Sequence, residues 1–306
     1  MTGIVDVTAI SDSYANGQAM RSRHSNLRST RAGFGAFCPW GSALMPRYAT
    51  CLFSVLVGVA LATGAAAADV KVMISAGFFS VYQELGPAFE KATGHKLVTT
   101  RGPSIGDSPE AIPTRLSRGE AADVVIMDGV GVDLLDQREL SRPGSRVPLA
   151  ESFIGMVVRA GQPKPDISTM DALRRTLLAA SSIAYSDSSS GTYLSTIGFR
   201  KLGIADEIAG KTRKVRGPPS GEPVAAVVAR GEAEIGFQQV PELIHVPGID
   251  FVGTVPSEVQ PPTLFVGALP NHSKQPEAAI LLLHFLSSAD AAAVITKAGL
   301  KPLPPR

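Results

Sequence analysis

Cysteine and tryptophan are nearly absent from this chain of 306 residues, which contains two cysteines and one tryptophan. Cys38, Trp40 and Cys51 all lie near the N-terminus. If that region is removed, as expected below, the rest of the chain has no disulfide, no thiol nucleophile and no cysteine-ligated metal, even in an oxidising compartment. It also lacks an indole ring on which a nucleobase could stack.

The N-terminal region also lacks an apolar run long enough for a stable membrane anchor, which needs about 20 residues. Residues 45–68 instead contain a cationic start at Arg47, a short apolar run over 51–62, and the alanines 65–68. This order is typical of a cleaved secretory signal peptide. We expect cleavage after Ala68 and a periplasmic location.

The polar head before this signal has no recognisable pattern of its own. The interpretation that we favour takes Met45 as the true initiator and 1–44 as upstream sequence translated from an overlong gene, and the alternative is a disordered N-terminal extension. Cys51 opens the apolar run instead of following the cleavage point, which argues against a lipoprotein.

A charge excess of one sign is missing after cleavage, because the remaining 238 residues contain 24 Lys and Arg against 25 Asp and Glu. The chain therefore lacks the basic footprint of a nucleic-acid-binding protein. Its length is enough for one large or two small α/β domains.

Apolar runs and helical periodicity alternate along this part of the chain, which favours parallel sheets covered by helices on both faces. Strands are predicted at 70–74, 96–100, 123–127, 153–159, 182–185, 233–237, 250–254 and 263–268. Helices are predicted at 79–92, 110–118, 129–138, 169–180, 193–202, 222–230, 276–286 and 289–298.

The fold class that we predict is α/β, with two hinged lobes. The first lobe comprises 69–149 and 264–306, and the second comprises 150–263, because the two closing helices have no third lobe to join. The extended segments 149–159 and 256–268 would then cross between the lobes as a hinge. We expect a monomer.

Small hydroxyl residues follow several predicted strands. Ligands of parallel α/β sheets bind beyond the carboxyl ends of the strands, where helix N-termini offer free N–H groups to an anion. Ser75 and Gly77 follow the first strand, although Ser75 could equally be a plain helix N-cap.

A denser cluster follows the first strand of the second lobe. Its hydroxyls and amides exceed what one helix cap needs, so we predict an oxyanion site there. The candidate donors are Ser188, Ser189, Ser190, Gly191 and Thr192. Asp187 could cap a helix, bind a cation, act as a base or form a structural Asx turn.

A third group of candidates lies at other strand ends. Arg101 is the nearest cation to this edge, and Gln238 has an uncharged amide that can donate to an oxygen. The remaining candidates are Ser104, Gly106, Asp107 and Asp128. The four histidines that follow residue 68 are scattered, and neither a phosphate-binding loop nor a nucleophile elbow is present, so we predict no metal and no cofactor.

The order of these elements and three short motifs resemble the molybdate-binding-protein-like (type 2) branch of the periplasmic solute-binding proteins. The motifs are Ala-Asp-Val-Val at 122–125, Arg-Gly-Glu at 230–232 and Gly-Phe-Gln-Gln at 236–239. The resemblance covers about 69–303 and implies a hinged fold that closes on a small anion. It also implies, as one alternative, a receptor that delivers molybdate, tungstate or an organic anion to an ABC permease.

Within that branch, longer stretches resemble the aconitate isomerases, which interconvert trans- and cis-aconitate by a proton shift. These stretches are 103–109, 111–116, 184–191, 222–224 and 236–239. The resemblance implies a cofactor-independent isomerase that takes a tricarboxylate. The candidate bases are Asp107, Asp187 and Tyr193, and Arg101 is the candidate counter-ion. A regulatory binding module would share the same cleft.

Overall fold

The computed structural model describes residues 67–106 and 108–304, which belong to one compact unit. The predicted signal peptide up to residue 66, the head before it, and Asp107 lie outside the described residues. What the sequence indicates for them stays a prediction.

The elements of the described part largely follow the predicted alternation. The strands are β1 (Asp69–Ile74), β2 (Lys96–Arg101), β3 (Val124–Asp128), β4 (Val147–Ser152), β5 (Ile154–Arg159), β6 (Ile183–Ser186), β7 (Thr212–Val215), β8 (Ile235–Gln239), β9 (Ile249–Thr254), β10 (Thr263–Ala268) and β11 (Lys301–Pro302). The helices are α1 (Ala76–Thr93), α2 (Ile112–Ser117), α3 (Gly129–Gln137), α4 (Met170–Ala179), α5 (Ser189–Tyr193), α6 (Phe199–Lys201), α7 (Ala205–Ile208), α8 (Val224–Ala229), α9 (Val240–Leu243), α10 (Pro276–Leu286) and α11 (Ala292–Lys297). A π-helical turn, Leu194–Gly198, joins α5 to α6.

The strands form two sheets, ordered β11-β4-β10-β3-β1-β2 and β7-β6-β8-β5-β9. In the first sheet β1 is parallel to β2 and β3, and in the second β6 is parallel to β7 and β8. The prediction of parallel sheets therefore holds for only part of each sheet, because β10 is antiparallel to β3 and β5 is antiparallel to β8. β5 and β10 run in the opposite direction to these neighbours because each is the first strand that the chain forms after it crosses from one sheet to the other.

Both faces of each sheet are covered, as the alternation of side chains along a strand requires. In β1, Val72 and Ile74 pack with α1 and α10 on one face, whereas Met73 packs with α2 and α3 on the other. In β5, Met156 packs with α4, whereas Val157 packs with α8 on the opposite face. Each sheet is therefore the centre of one α/β lobe.

The chain crosses between the sheets at Phe153, which separates β4 from β5, and again between β9 and β10. Buried amides tie the two crossings together. Gln239 Nε2 and Gln260 Nε2 both donate to Thr263 Oγ1, at 3.0 and 3.1 Å, and Gln260 Oε1 accepts from Ile154 N at 3.3 Å. These hydrogen bonds hold the two crossings together and so help to fix how the carboxyl ends of strands from the two sheets meet.

Within residues 67–304, no single helix is long and apolar enough to span a membrane. Within the same residues, α10 and the segment Ala289–Lys297 reach that length and apolar composition only when they are taken together, and the two are bent by 54° relative to each other.

The aromatic core of the first lobe gives a test of the packing. Phe89 on α1 is fully buried, with its ring centroid 5.7 Å from that of Phe285 and 6.1 Å from that of His95. We expect Phe89→Ala to lower the free energy of unfolding by about 3–5 kcal/mol in urea titrations, because it leaves a cavity. Leu281→Ala, at a residue that is 46% exposed, is the control and should change it by less than about 1 kcal/mol. If Phe89→Ala and Leu281→Ala lowered the free energy of unfolding by the same amount, this packing of Phe89 would be contradicted.

Candidate functional site

A cleft that is partly open to solvent lies where the carboxyl ends of strands from both sheets converge, and its empty space, including the part open to solvent, is about 330 Å³. It occupies the position that parallel α/β sheets use for ligands. Its lining comes from the last residues of β2, β6 and β8 and from the segments that follow β1, β2, β6, β7 and β8. The lining residues are Ala76, Arg101, Gly102, Pro103, Ser186, Asp187, Ser188, Gly217, Pro218, Gln238 and Glu242.

Arg101 is the cation of this cleft. It ends β2, and its guanidinium carbon lies 4.1 Å from the centroid of the Phe79 ring. Its Nε is buried without a partner, and no described residue gives its side chain a hydrogen bond or an ion pair. Burial lowers the pKa of Arg101, and the negative charge of Glu242 opposes this shift. The guanidinium is thus positioned by stacking while its donors stay available to an anion.

The turn after β1 also offers an unused donor. Ser75 is 3% exposed, and its Oγ has no hydrogen-bond partner among the residues described. It precedes α1 without capping it through the side chain, and Ala76, the first residue of α1, lines the cleft. A plain N-cap role for Ser75 is therefore not supported.

Gly77 has a packing reason that the sequence did not indicate. An added Cβ would lie 2.3 Å from Phe265 Cζ, so the residue is small because α1 packs closely on β10.

The serine cluster divides between the cleft and internal bonds. Ser188 lines the cleft at the N-terminus of α5 and does not cap the helix with its side chain. Ser190 Oγ is hydrogen-bonded to Ser186 Oγ at 2.9 Å, and Ser189 donates to Asp128. Thr192 is absent from the lining, and its carbonyl accepts from Thr196 Oγ1 at 2.7 Å.

Gly191 is required by its surroundings, because an added Cβ would lie 1.7 Å from the Ser186 carbonyl oxygen. The turn therefore shapes the cleft more than it supplies separate ligand donors.

Asp128 joins the two lobes instead of lining the cleft. Its carboxylate accepts from Gly131 N at 2.8 Å, which caps α3, and from Ser189 Oγ on the second lobe. Its own N–H donates to Ser104 Oγ at 3.2 Å. Burial raises the pKa of Asp128, and these hydrogen bonds oppose the shift. Ser104 and Asp128 do not line the cleft, and they support it through these hydrogen bonds.

Gly106 brings the loop after β2 against the loop after β6. Its φ is +119°, which disfavours other residues, and an added Cβ would lie 2.8 Å from the Asp187 carbonyl oxygen. The two loops are therefore in close contact across the cleft.

The candidate bases have different surroundings. Asp187 lines the cleft, and its Oδ1 accepts from Gly217 N at 3.0 Å. Tyr193 is buried outside the lining, donates from its hydroxyl to the Val259 carbonyl at 2.8 Å, and has a pKa that burial raises to about 12. This placement gives Tyr193 a structural role in holding α5 to the crossover. Asp107 cannot be placed, since it is not described.

Glu242 was missed by the sequence analysis although it lines the cleft. Burial raises its pKa to about 7, even though the residue keeps partial contact with solvent. The hydrogen bond from Gln238 and the charge of Arg101 lower this pKa, and the charges of Asp128 and Asp187 raise it. A carboxyl group that titrates near neutrality can serve as both acceptor and donor of a proton.

Gln238 positions this carboxylate. Its Nε2 donates to Glu242 Oε2 at 2.5 Å, and its Oε1 accepts from Val224 N at 3.0 Å. Because the amide is engaged at both ends, Gln238 orients Glu242, and the second hydrogen of Nε2 is the donor that remains for a ligand. Among the described residues, no group of three or more His, Cys, Asp or Glu is arranged to hold a metal ion.

Two hinged lobes around such a cleft define a type 2 periplasmic-binding-protein-like fold. The chain belongs to the bacterial extracellular solute-binding protein family, whose model matches residues 70–301. The family predicted from the motifs is therefore confirmed.

Two characterised relatives and one solved structure refine this assignment. The chain is 51% identical over 233 residues to an aconitate isomerase of a Pseudomonas species, covering 76% of this chain and 87% of the relative. It is 26% identical over 244 residues to the molybdate-binding protein ModA of Azotobacter vinelandii, covering 78% and 92%. The structure of an Azotobacter vinelandii periplasmic molybdate-binding protein aligns with a TM-score of 0.60 at 22% identity, covering 78% of this chain and all of that one.

The raised pKa of Glu242 gives a test that needs no ligand. Because the folded-state value, about 7, exceeds the unfolded value of about 4.3, its protonated form stabilises the fold at low pH, and this contribution is lost as the pH rises through 7. Glu242→Gln mimics the protonated form. We expect it to raise the free energy of unfolding at pH 8 by about 1–2 kcal/mol, a value reduced for solvent screening, with a smaller gain at pH 5.

Urea titrations at both pH values measure this difference. Glu277→Gln, at an exposed residue of α10, is the matched control and should show no pH-dependent change. A Glu242→Gln variant with the same stability change at pH 5 and pH 8 would contradict the shifted pKa.

Proposed function

We propose that this protein is an aconitate isomerase, which interconverts trans- and cis-aconitate by a proton shift without a cofactor. The observation that carries the proposal is that one cleft holds both the Arg101 guanidinium, which has no hydrogen-bond partner among the described residues, and the Glu242 carboxyl group, whose pKa burial raises to about 7. The 51% identity to a relative named aconitate isomerase supports it independently.

The charges in the cleft suit a carboxylate substrate. Arg101 can hold one carboxylate in a bidentate manner, and the Ser75 hydroxyl and the N–H groups at the start of α1 are available to another. Deprotonation beside a carboxylate develops enolate-like charge, and fixed positive groups stabilise such charge more effectively where water is scarce.

The alternative is a receptor that delivers molybdate, tungstate or an organic anion to an ABC permease. The ModA relative and the shared fold support this class. However, Glu242 lines the cleft with a pKa of about 7, and a proton shift needs such a group whereas a receptor does not. This group favours the isomerase.

We further propose that the protein is exported to the periplasm and acts as a monomer. The match to an extracellular family supports export, and the composition of 45–68 supports a cleaved signal peptide. We keep the lobe boundaries predicted from the sequence, 69–149 with 264–306 and 150–263, as a proposal for the approximate extent of each lobe, whereas the crossings between the sheets lie at Phe153 and between β9 and β10.

Incubation of the purified protein with trans-aconitate, followed by chromatography, tests the activity. We expect cis-aconitate to form, and the same mixture to be approached from the cis isomer. Absence of turnover, together with thermal stabilisation by molybdate, would identify a receptor instead.

Arg101 should anchor the substrate. We expect Arg101→Gln to weaken the binding of trans-aconitate by about 10–100-fold in calorimetry, since a charge-assisted hydrogen bond contributes about 1.5–3 kcal/mol. Arg200→Gln, at an exposed residue of α6, is the matched control and should bind like the unmodified protein. A change of less than twofold in the Arg101 variant would exclude this residue as the anchor.

A further inference from the structure

Glu242 lies on the short helix α9, directly after β8. One carboxylate oxygen, Oε2, is held by Gln238 Nε2 at 2.5 Å. The other, Oε1, forms no hydrogen bond with any of the described residues, and the side chain lines the cleft. A carboxylate that is oriented through one oxygen and open at the other has the geometry of a proton acceptor.

We propose that Glu242 is the catalytic base that removes the methylene proton of aconitate and returns a proton to the former vinyl carbon. This inference rests on the proposed isomerase function and assigns its central residue. Arg101 and Glu242 line the same cleft, and the charge of each acts on the pKa of the other, so a ligand whose carboxylate binds the guanidinium lies in the cleft that Glu242 lines.

The reaction balances with one base. Glu242 Oε1 takes the proton as the methylene C–H bond breaks, and the electron pair forms a new carbon–carbon double bond to the central carbon. The original double bond becomes single as its electron pair forms a C–H bond at the far carbon with the proton from Glu242. No electron is gained or lost overall, and the enzyme returns to its starting form.

The surroundings of Glu242 match this role. The charged groups that act on it are Arg101, Asp128 and Asp187, and burial has the largest effect on its pKa, which is about 7. It is therefore a stronger base than an ordinary glutamate and is still largely ionised at slightly alkaline pH.

Other carboxylates of the described chain fit less well. Asp128 does not line the cleft, and its two oxygens accept from Gly131 and Ser189. Asp187 lines the cleft, but its Oδ1 accepts from the Gly217 backbone amide, which ties this carboxylate to the loop after β7. Glu242 combines an open oxygen, held in place through a side-chain amide, with a pKa that burial raises to about 7.

The test compares turnover with binding in the full chain. We expect Glu242→Gln to lower kcat for trans-aconitate by about 10²–10⁴-fold, the usual contribution of a general base. Its affinity for trans-aconitate in calorimetry should stay within about threefold or become tighter, since a negative charge is removed. Glu277→Gln is the control for the same chemical change on the surface and should keep the full kcat.

A second variant distinguishes a base from a structural residue. Glu242→Asp keeps the carboxylate but retracts it, so we expect residual turnover above that of Glu242→Gln. For the unmodified enzyme, kcat/KM should rise with pH along a limb near pH 7, after correction for the ionisation of free aconitate.

The outcomes separate the two proposals. If the unmodified protein isomerises aconitate and Glu242→Gln keeps more than about a tenth of its kcat, the assignment of Glu242 is overturned while the isomerase stands. If the unmodified protein binds but never isomerises aconitate, the proposed function fails, and the base assignment fails with it. Equal losses in Glu242→Gln and Glu242→Asp, with binding also lost, would make Glu242 a structural residue and overturn the assignment.

Discussion

The separation of two opposite charges, the Arg101 guanidinium and the Glu242 carboxylate, is the constraint around which the cleft is arranged. If they formed a direct ion pair, each would neutralise the other, and the cleft would have neither an anchor for a carboxylate nor a base. Each charge is instead held by a neutral neighbour. The Phe79 ring supports the guanidinium, and the Gln238 amide supports the carboxylate. Both charged groups therefore keep bonding capacity for a ligand.

Contacts between the lobes maintain this separation. The Asp128 carboxylate receives Ser189 from the other lobe, and the Gly106 backbone lies against the Asp187 carbonyl. At the crossovers, Gln239 and Gln260 share the Thr263 hydroxyl. The fold is shared with a molybdate-binding protein, and because a fold alone does not fix the ligand, function depends on which side chains reach the cleft.

Local patterns predicted much of this structure, and long-range contacts account for what they missed. The buried strands and the strand-end location of the cleft follow from apolar runs and their alternation with helices, and Arg101 follows from its position at the end of β2. Glu242 was missed because α9 has only four residues, too few for any helical periodicity. A carboxylate three residues beyond a buried strand was the available signal. Ser189 contacts Asp128 of the other lobe because the fold brings the two residues together, and no local sequence pattern indicates this contact.

The most direct measurement is nuclear magnetic resonance of trans-aconitate incubated with the unmodified protein in deuterium oxide. We expect cis-aconitate to appear and carbon-bound deuterium to accumulate at the methylene position, since a proton held by Glu242 can exchange with solvent between removal and return. Binding of trans-aconitate with neither isomerisation nor deuterium incorporation would contradict an isomerase and leave a cleft that only holds its ligand.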